Sequence, residues 1–386
     1  MVKKVNKLLI LLVEIFVLVS LSVIVSCSFR NEARPLTDDD TVDADITDTD
    51  TSESDTETSD TNTSDTDTDD TETNNNDADT GNTGTDDVDE TDDAGAADDS
   101  DTVTDTEEPD ECEEEVISSV VIGTYNTHLF FDTVCDTGHC SSSDFESVLS
   151  DSEYNSKVSD LAESIHEIGA DIILLQEVEK DSCLQDLFGE TGTYEDCFLG
   201  EKETVDTAVM TKGKITYKNK HTEQIECAGC EGGKTSFSRA FLETHIELGC
   251  RKIIVFSAHF KSKADDDAQR RLAEAAAAAK ILKKRAEEHP EALIVMGGDL
   301  NDEPGSDTLE YFENDSAFLR VASELSLKDQ ATYYYSSEAV ALDHIFWVKT
   351  AGGKYKTGSA EVVKDAPNWY RLGSSDHAAL KATFEF

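Results

Sequence analysis

From Thr37 to Glu115 the chain carries about 35 acidic residues and no Lys or Arg, and this run decides where a core can form. Charges at that density repel one another. Thr, Asp, Ser, Asn and Glu recur in near repetition, as in Thr63-Ser64-Asp65-Thr66-Asp67-Thr68-Asp69-Asp70, leaving too little apolar surface to offset the chain entropy lost on folding. The stretch is expected to be a disordered acidic tether holding a folded domain away from a surface. Its alternating Asp resembles the ligand pattern of calcium loops, but the long runs lack the Gly that an EF-hand loop needs. Of the 386 residues, only 116–386 can build a sizeable core, and that length suits one layered α/β domain.

Upstream, Lys3, Lys4 and Lys7 precede an apolar run from Leu8 to Val25, which ends at Ser26-Cys27. A basic start, an apolar middle and a small residue before a cysteine resemble a bacterial lipoprotein signal. On that reading residues 1–26 are a signal peptide, Cys27 is lipidated, and 27–115 is the linker of an exported protein. The protein would be anchored at the bacterial cell envelope, at the outer membrane or cell surface. Glu14 within the run is a departure, and a retained signal anchor is the alternative.

Within 116–386, hydrophobic patterning predicts strands at Val120–Asn126, Asp171–Glu177, Thr207–Met210, Ala240–Leu248, Lys252–His259, Ala292–Met296, Leu342–Val348 and Ala379–Phe386. Val158, Leu161, Ile165 and Ile168 recur at helical spacing, with Gly169 as a stop. An Ala-rich helix is expected from Asp265 to Glu288, with Pro290 just beyond it. The mixture indicates an α/β domain and does not fix a topology.

Several of these strands end on polar groups suited to one chemistry. The buried-strand pattern ending at Met296 runs into Gly297-Gly298-Asp299-Leu300-Asn301, whose glycines allow a tight turn and leave space before Asp299. Asn126, Glu177, His259, Asp343, Asp376 and His377 sit at or beside other strand edges. Any one of them alone reads as a loop residue satisfying backbone. Together the carboxylates, amides and imidazoles suit hydrolysis of a phosphate ester, with a hard cation offsetting charge on the phosphate oxygens. A histidine held by a carboxylate can accept a proton near neutral pH.

Thr124-Tyr125-Asn126, Leu175-Gln176-Glu177, Ala258 to Lys263, Gly298 to Asp302, Leu342 to Phe346 and Ser375-Asp376-His377 resemble, in order, the motifs of the endonuclease/exonuclease/phosphatase superfamily. The stretches at His259 and Leu342 look most like its exported bacterial nuclease branch. The resemblance implies a four-layer sandwich of two packed mixed β-sheets flanked by helices. It also implies Mg²⁺, with Mn²⁺ or Ca²⁺ as alternatives, held by Glu177 with Asn126 close by and Asp376 joining. Asp299 and Asn301 would orient water and phosphate. His377, supported by Asp343, would be the general base, and His259 would stabilise the transition state or protonate the leaving oxygen. His128 departs from the pattern by standing where the nuclease branch often has an acid, and Ala378 departs by following His377 where a Pro or polar residue is common.

The folded part holds about 47 acidic against about 27 basic residues, which argues against the basic footprint of a tight, sequence-independent nucleic-acid binder. Bound cations or a local patch would have to supply the attraction. Lys261, Lys263 and Arg239, with Asn126, are the candidate substrate contacts. Arg270 and Arg271 could join the same basic patch, or stand on an exposed helix face paired with Asp265 to Asp267. Of nine cysteines, Cys27 is assigned to lipid. The remaining eight allow about 105 pairings, and the set expected here is Cys135 with Cys140, Cys183 with Cys197, Cys227 with Cys230, and Cys112 with Cys250. The composite expectation is a monomeric, membrane-tethered Mg²⁺-dependent phosphodiesterase, in first place a nuclease. The alternatives are a phospholipid or sugar-phosphate phosphodiesterase on the same machinery and a surface binding protein without catalysis.

Overall fold

A computed structural model describes residues 115–386. The signal segment, Cys27, most of the acidic tether and Cys112 lie outside the described residues. Among the described residues no helix is long and apolar enough to cross a membrane.

In chain order the strands are β1 (Ser119–Phe130), β2 (Ile172–Val178), β3 (Asp196–Leu199), β4 (Asp206–Thr211), β5 (Lys214–His221), β6 (Gln224–Glu226), β7 (Lys234–Ser236), β8 (Phe241–Leu248), β9 (Arg251–His259), β10 (Leu293–Asp299), β11 (Phe318–Arg320), β12 (Tyr333–Tyr335), β13 (Glu338–Val340), β14 (Asp343–Val348), β15 (Lys354–Tyr355), β16 (Glu361–Val363) and β17 (Ala379–Glu385). The helices are α1 (Asp151–Ile168), α2 (Asp181–Thr191), α3 (Ala268–Glu288) and α4 (Asp307–Glu313). One sheet has the order β15-β17-β1-β2-β4-β3, with β16 also on β17, and the second has the order β11-β14-β10-β9-β8-β5. The pairs β6-β7 and β12-β13 are separate hairpins.

Three apolar clusters define the layers. Ile122, Leu174, Val209, Leu242, Val255, Val295, Ile345 and Leu380 fill the space between the sheets. Leu161, Ile165, Leu184 and Leu187 pack α1 and α2 on the outer face of the first sheet, and Ala275, Ala279, Leu282 and Phe312 pack α3 and α4 on the outer face of the second. This is the four-layer sandwich that the motif resemblance implied. Both faces of each central strand are covered, which is why β2 and β10 read as unbroken apolar runs and not as alternating ones.

Local signals set the helix ends. Ser150 and Glu153 form a reciprocal capping box at the start of α1, and Gly169 ends it with φ 65°. Helix α3 starts three residues later than the sequence suggests, because Asp267 serves as its cap by accepting from the Arg270 N–H.

Register carries the polar strand ends to one edge. β9 and β10 run parallel with His259 beside Asp299, and β14 runs antiparallel with Asp343 on the other side of Asp299. In the first sheet β1 and β2 run parallel with Asn126 beside Gln176, and β17 runs antiparallel to β1, so His377 precedes β17 at that same edge. At Gly298 β10 leaves no room for a side chain against β9: a Cβ there would lie 1.9 Å from the Ala258 carbonyl oxygen. A side chain at this position would push the two strands apart just before Asp299.

The expected disulfides Cys135–Cys140 and Cys227–Cys230 are present. Cys250 is disulfide-bonded, and its expected partner Cys112 lies outside the described residues. The expected Cys183–Cys197 bond is corrected, since both thiols are free. Cys183 points from α2 into the core beside Glu179 at 3.8 Å, whereas the Cys197 sulfur on β3 accepts from Gln185 at 3.3 Å.

Candidate active site

The edge described above is a cleft of about 380 Å³, lined among others by Glu177, His259, Asp299, Asn301, Asp376 and His377. The Asn126 side-chain amide nitrogen donates to Glu177 Oε1 and to Asp299 Oδ2, each at 3.1 Å, and so ties a carboxylate of one sheet to a carboxylate of the other. Its oxygen accepts from the His128 N–H at 3.0 Å. The Leu129 N–H donates to Glu177 Oε2 at 2.8 Å. Between Asn126 and Phe130 the β1–β2 register shifts, and His128, Leu129 and Glu177 have φ of 54°, 46° and 64°. Left-handed backbone at three non-glycine residues costs energy. The return is that the Glu177 carboxylate is turned into the cleft.

Asp299 has Glu177 on one side and a histidine pair on the other. Its Oδ2 lies 3.9 Å from Nε2 of both His259 and His377, and its Oδ1 accepts from the Asn301 N–H at 2.8 Å. Asn301, at φ 52°, donates its amide to the Phe260 carbonyl at 3.2 Å. His377 Nδ1 meets Asp343 Oδ2 at 2.8 Å, which leaves Nε2 facing the cleft. Tyr333 lies against the His377 ring, tilted by 31° with centroids 4.6 Å apart.

Charge is distributed unevenly across the site. Burial and the neighbouring Asp343 carboxylate push Asp299 up to about 7. Burial alone would lower His377, but Asp343 overrides it and raises the imidazole to about 10. Burial, reinforced by the Arg239 charge and His377, holds His259 well below the usual histidine range. One imidazole is therefore cationic and its neighbour neutral at pH 7. Burial pushes the Asp376 carboxyl up, but the bond from His128 and the charge of His377 bring it below its ordinary value.

The donor set suits a hard divalent cation. Glu177 and Asp299 offer only carboxylate oxygens, and no Lys or Arg forms an ion pair with either among the described residues. The ligand atoms of Asp299, Asp343 and His377 also lie within 4.8 Å of one another. Asp343 and His377 already satisfy each other, however, so Glu177 is the better-placed ligand; Asn126, expected close by, turns its amide nitrogen to Glu177 and its oxygen to the His128 N–H, and so orients the carboxylate. Asp376 points instead at His128 Nδ1, 2.8 Å away, with His377 Nε2 at 4.0 Å.

The proposed cationic contacts fare differently. Lys263 lines the cleft but is paired with Glu303 at 3.2 Å and Asp302 at 3.5 Å. Lys261 turns its ammonium to the carbonyls of Ala264 and Ser262. Arg239 donates to the Val205 and Ser238 carbonyls, and it reaches the cleft through its charge on His259. Arg271 is not an exposed helix-face residue, being 3% exposed and bridging Asp266 and Asp302.

Sequence reading missed the residues that brace the cleft. Glu274, fully buried, accepts from the Ser238 and Lys261 N–H groups at 2.6 and 2.7 Å and so pins two loops beside His259. Lys157 donates to the His128 and Ser374 carbonyls, and Ser375 Oγ donates to the Asn126 carbonyl at 2.6 Å. Glu274 and Lys157 looked like ordinary helix residues. The run Tyr333-Tyr334-Tyr335 was a visible signal, and its hairpin puts Tyr333 and Tyr335 on the cleft wall.

A four-layer sandwich that gathers acids, amides and imidazoles around one cleft is the architecture of a phosphoester hydrolase. The Endonuclease/Exonuclease/phosphatase family profile matches residues 123–377, and the chain belongs to that family, whose members hydrolyse phosphodiesters or phosphate monoesters, often with a divalent metal. No curated protein matches the chain. Among solved structures, the human nocturnin catalytic domain with bound sulfate is similar at 16% identity and TM-score 0.51, covering 71% of this chain and 97% of that one. D. rerio TDP2 complexed with single strand DNA product is similar at 17% identity and TM-score 0.48, covering 70% and 100%. The endonuclease/exonuclease/phosphatase from Bacteroides vulgatus is similar at 16% identity and TM-score 0.48, covering 70% and 100%.

The Asp343–His377 pair predicts a signed pH effect. A histidine with a raised folded-state pKa adds stability that is complete below its ordinary value near 6.5 and is lost as pH rises through about 10. Asp343→Asn is expected to cost about 3 to 5 kcal/mol near pH 6, with the gap to wild type closing toward pH 10. Urea denaturation of both proteins across pH 6 to 10.5 checks it.

Proposed function

We propose that this protein is a Mg²⁺-dependent phosphodiesterase that cleaves nucleic acid outside the cytoplasm. The observation that carries the reading is the Asn126 bridge, which brings Glu177 and Asp299 together in a cleft that also holds one neutral and one cationic imidazole. Glu177, oriented by the Asn126 amide, would hold the cation, which when bound offsets charge developing on the phosphate. His259, neutral, can donate a hydrogen bond to a phosphate oxygen. His377, cationic through Asp343, supports negative charge on the phosphoryl group. With the proton on His377, Asp299 is the group left to accept one from water, and Asn301 holds its carboxylate in place.

The aromatic wall supports a substrate that carries bases. Tyr335 is 68% exposed on the cleft rim, and Tyr334, 57% exposed, stacks on Tyr370 at 5.9 Å. Stacking on such rings favours unpaired bases without the basic groove that a long duplex requires, and the acid excess of the domain points the same way. That excess also favours a second reading, in which the same machinery cleaves a phospholipid. Export and anchoring through Cys27 at the cell envelope rest on the lipoprotein-like signal alone.

The test is a panel of single-stranded DNA, RNA, duplex DNA and sphingomyelin vesicles, assayed with Mg²⁺ and with EDTA. Cleavage of single-stranded nucleic acid is expected, abolished by EDTA and reduced about 10²- to 10⁴-fold in Asp299→Ala and His377→Ala. Activity that survives EDTA or either substitution contradicts the catalytic reading, and phosphocholine release without nucleic-acid cleavage selects the lipid. In cells, Cys27→Ala is expected to move activity from the membrane fraction to the soluble one.

A further inference from the structure

A second group of carboxylates lies behind the active-site turn. Asp132 follows β1, Glu179 follows β2, and Asp136 and Glu146 belong to the loop after β1 that Cys135–Cys140 staples. Glu146 and Glu179 are 1% and 7% exposed, unusual burial for acids at a loop. The two oxygens of Glu146 accept from the Asp136 and Thr137 N–H groups at 2.6 and 2.8 Å. Glu179 Oε2 accepts from the Asp132 N–H at 2.7 Å and from the Cys183 thiol at 3.8 Å. Its Oε1 is buried with no partner. A buried carboxylate oxygen left bare costs the desolvation of a charge, and such an atom asks for a cation.

The geometry can supply one. Ligand atoms of Asp136, Glu146 and Glu179 lie within 4.8 Å of one another, and those of Asp132 and Glu179 do so with Cys183. The cavity beside them is about 390 Å³. Lys180 places its ammonium 2.8 Å from Asp132 and 2.5 Å from Asp136, and Lys202, the other lysine on the cavity, is paired with Glu203 at 2.5 Å. Lys180 forms no ion pair with Glu146 or Glu179 among the described residues.

We infer that Asp136, Glu146 and Glu179, with Asp132 beside them, form a structural site for a hard divalent cation of the calcium class, separate from the catalytic cleft. All-carboxylate donors on an irregular loop suit Ca²⁺, which accepts six to eight oxygens in flexible geometry, better than Mg²⁺, which demands an octahedron. Lys180 is the competing cation, and its flexible stem lets it leave. Asp132 stands three residues beyond Leu129, and Glu179 two beyond Glu177. A cation between them ties together the two left-handed segments that aim Glu177, whatever phosphodiester the cleft takes.

The experiment uses the full chain, freed of divalent ions with EGTA and titrated with CaCl₂ while thermal unfolding and binding heat are followed. The acidic tether contributes the same background to every variant. Saturable binding is expected, with Tm raised by roughly 5 °C at calcium far above Kd. Glu177→Gln in the cleft should keep the rise, and Glu146→Gln and Glu179→Gln should lose it. If those two variants do not fold, Lys180→Ala serves instead, since removing the competing ammonium should tighten calcium binding at least threefold. No rise in the wild type, a rise kept in both cluster variants, a rise lost in Glu177→Gln, or an unchanged Kd in Lys180→Ala overturns the site.

Discussion

One amide nitrogen, Nδ2 of Asn126, stands between the carboxylates of Glu177 and Asp299, and the two sheets of the sandwich meet at their functional edge through it. Two acids from different sheets would otherwise repel across a space that burial has emptied of water. The amide can do this because β1 is held close to β2 by their parallel register. A little deeper, Gln176 and Ser257 repeat the pattern: Gln176 donates to the Ser257 hydroxyl at 3.3 Å, and that hydroxyl donates to the Leu175 carbonyl at 3.2 Å. A polar seam therefore runs between sheets whose interface is otherwise aliphatic. Each of its groups has a named partner, which makes the seam specific instead of merely costly.

Strain and charge at the edge follow from that arrangement. The turn after Asn126 adopts left-handed backbone at His128 and Leu129, and Lys157 from α1 holds the His128 carbonyl. Glu177 takes the same conformation at the end of β2, and so a strand that is buried throughout can present its last carboxylate to solvent. The departure at His128 has a structural answer: its imidazole pairs with Asp376, an acid that would otherwise be one more negative charge beside His377. Asp343, fixed on β14 next to Asp299, makes one imidazole a cation, while His259, without a carboxylate bonded to its buried Nδ1, stays neutral. Two identical side chains thus acquire different charge states from the presence or absence of a bonded carboxylate.

Much of this was legible in the sequence, and the reasons are specific. Strands covered on both faces are continuous apolar runs, so β2, β9 and β10 and the polar residues at their ends could be read directly. The long helices announced themselves through Gly169 and Pro290. Short pieces could not be read: α2, α4, β3, β5 and the two hairpins owe their form to neighbours in space and carry little periodicity of their own. The bracing residues were hidden for a related reason. Nothing in an Ala-rich stretch distinguishes buried Glu274 from exposed Glu288, because the difference lies in two backbone N–H groups contributed by remote loops. Lys261 and Arg239 show the converse limit, since a cation near a motif reads as a phosphate contact until its donors are found on backbone carbonyls. The parity of the cysteines misled in the same way: counting suggested that Cys183 and Cys197 pair, whereas packing sends one into the core and keeps the other on β3.

If this edge is a metal-assisted hydrolytic site, a divalent ion settles at Glu177, beside the Asp299 to which Asn126 bridges it. Crystals of the full chain soaked in Mn²⁺, with diffraction collected above the manganese edge, address this directly. An anomalous peak about 2 Å from a Glu177 carboxylate oxygen is predicted, and it should vanish in Glu177→Gln. Anomalous density absent from the cleft at saturating Mn²⁺, or found only at the Asp136–Glu146–Glu179 cluster, would contradict the claim that this edge is a metal-assisted hydrolytic site.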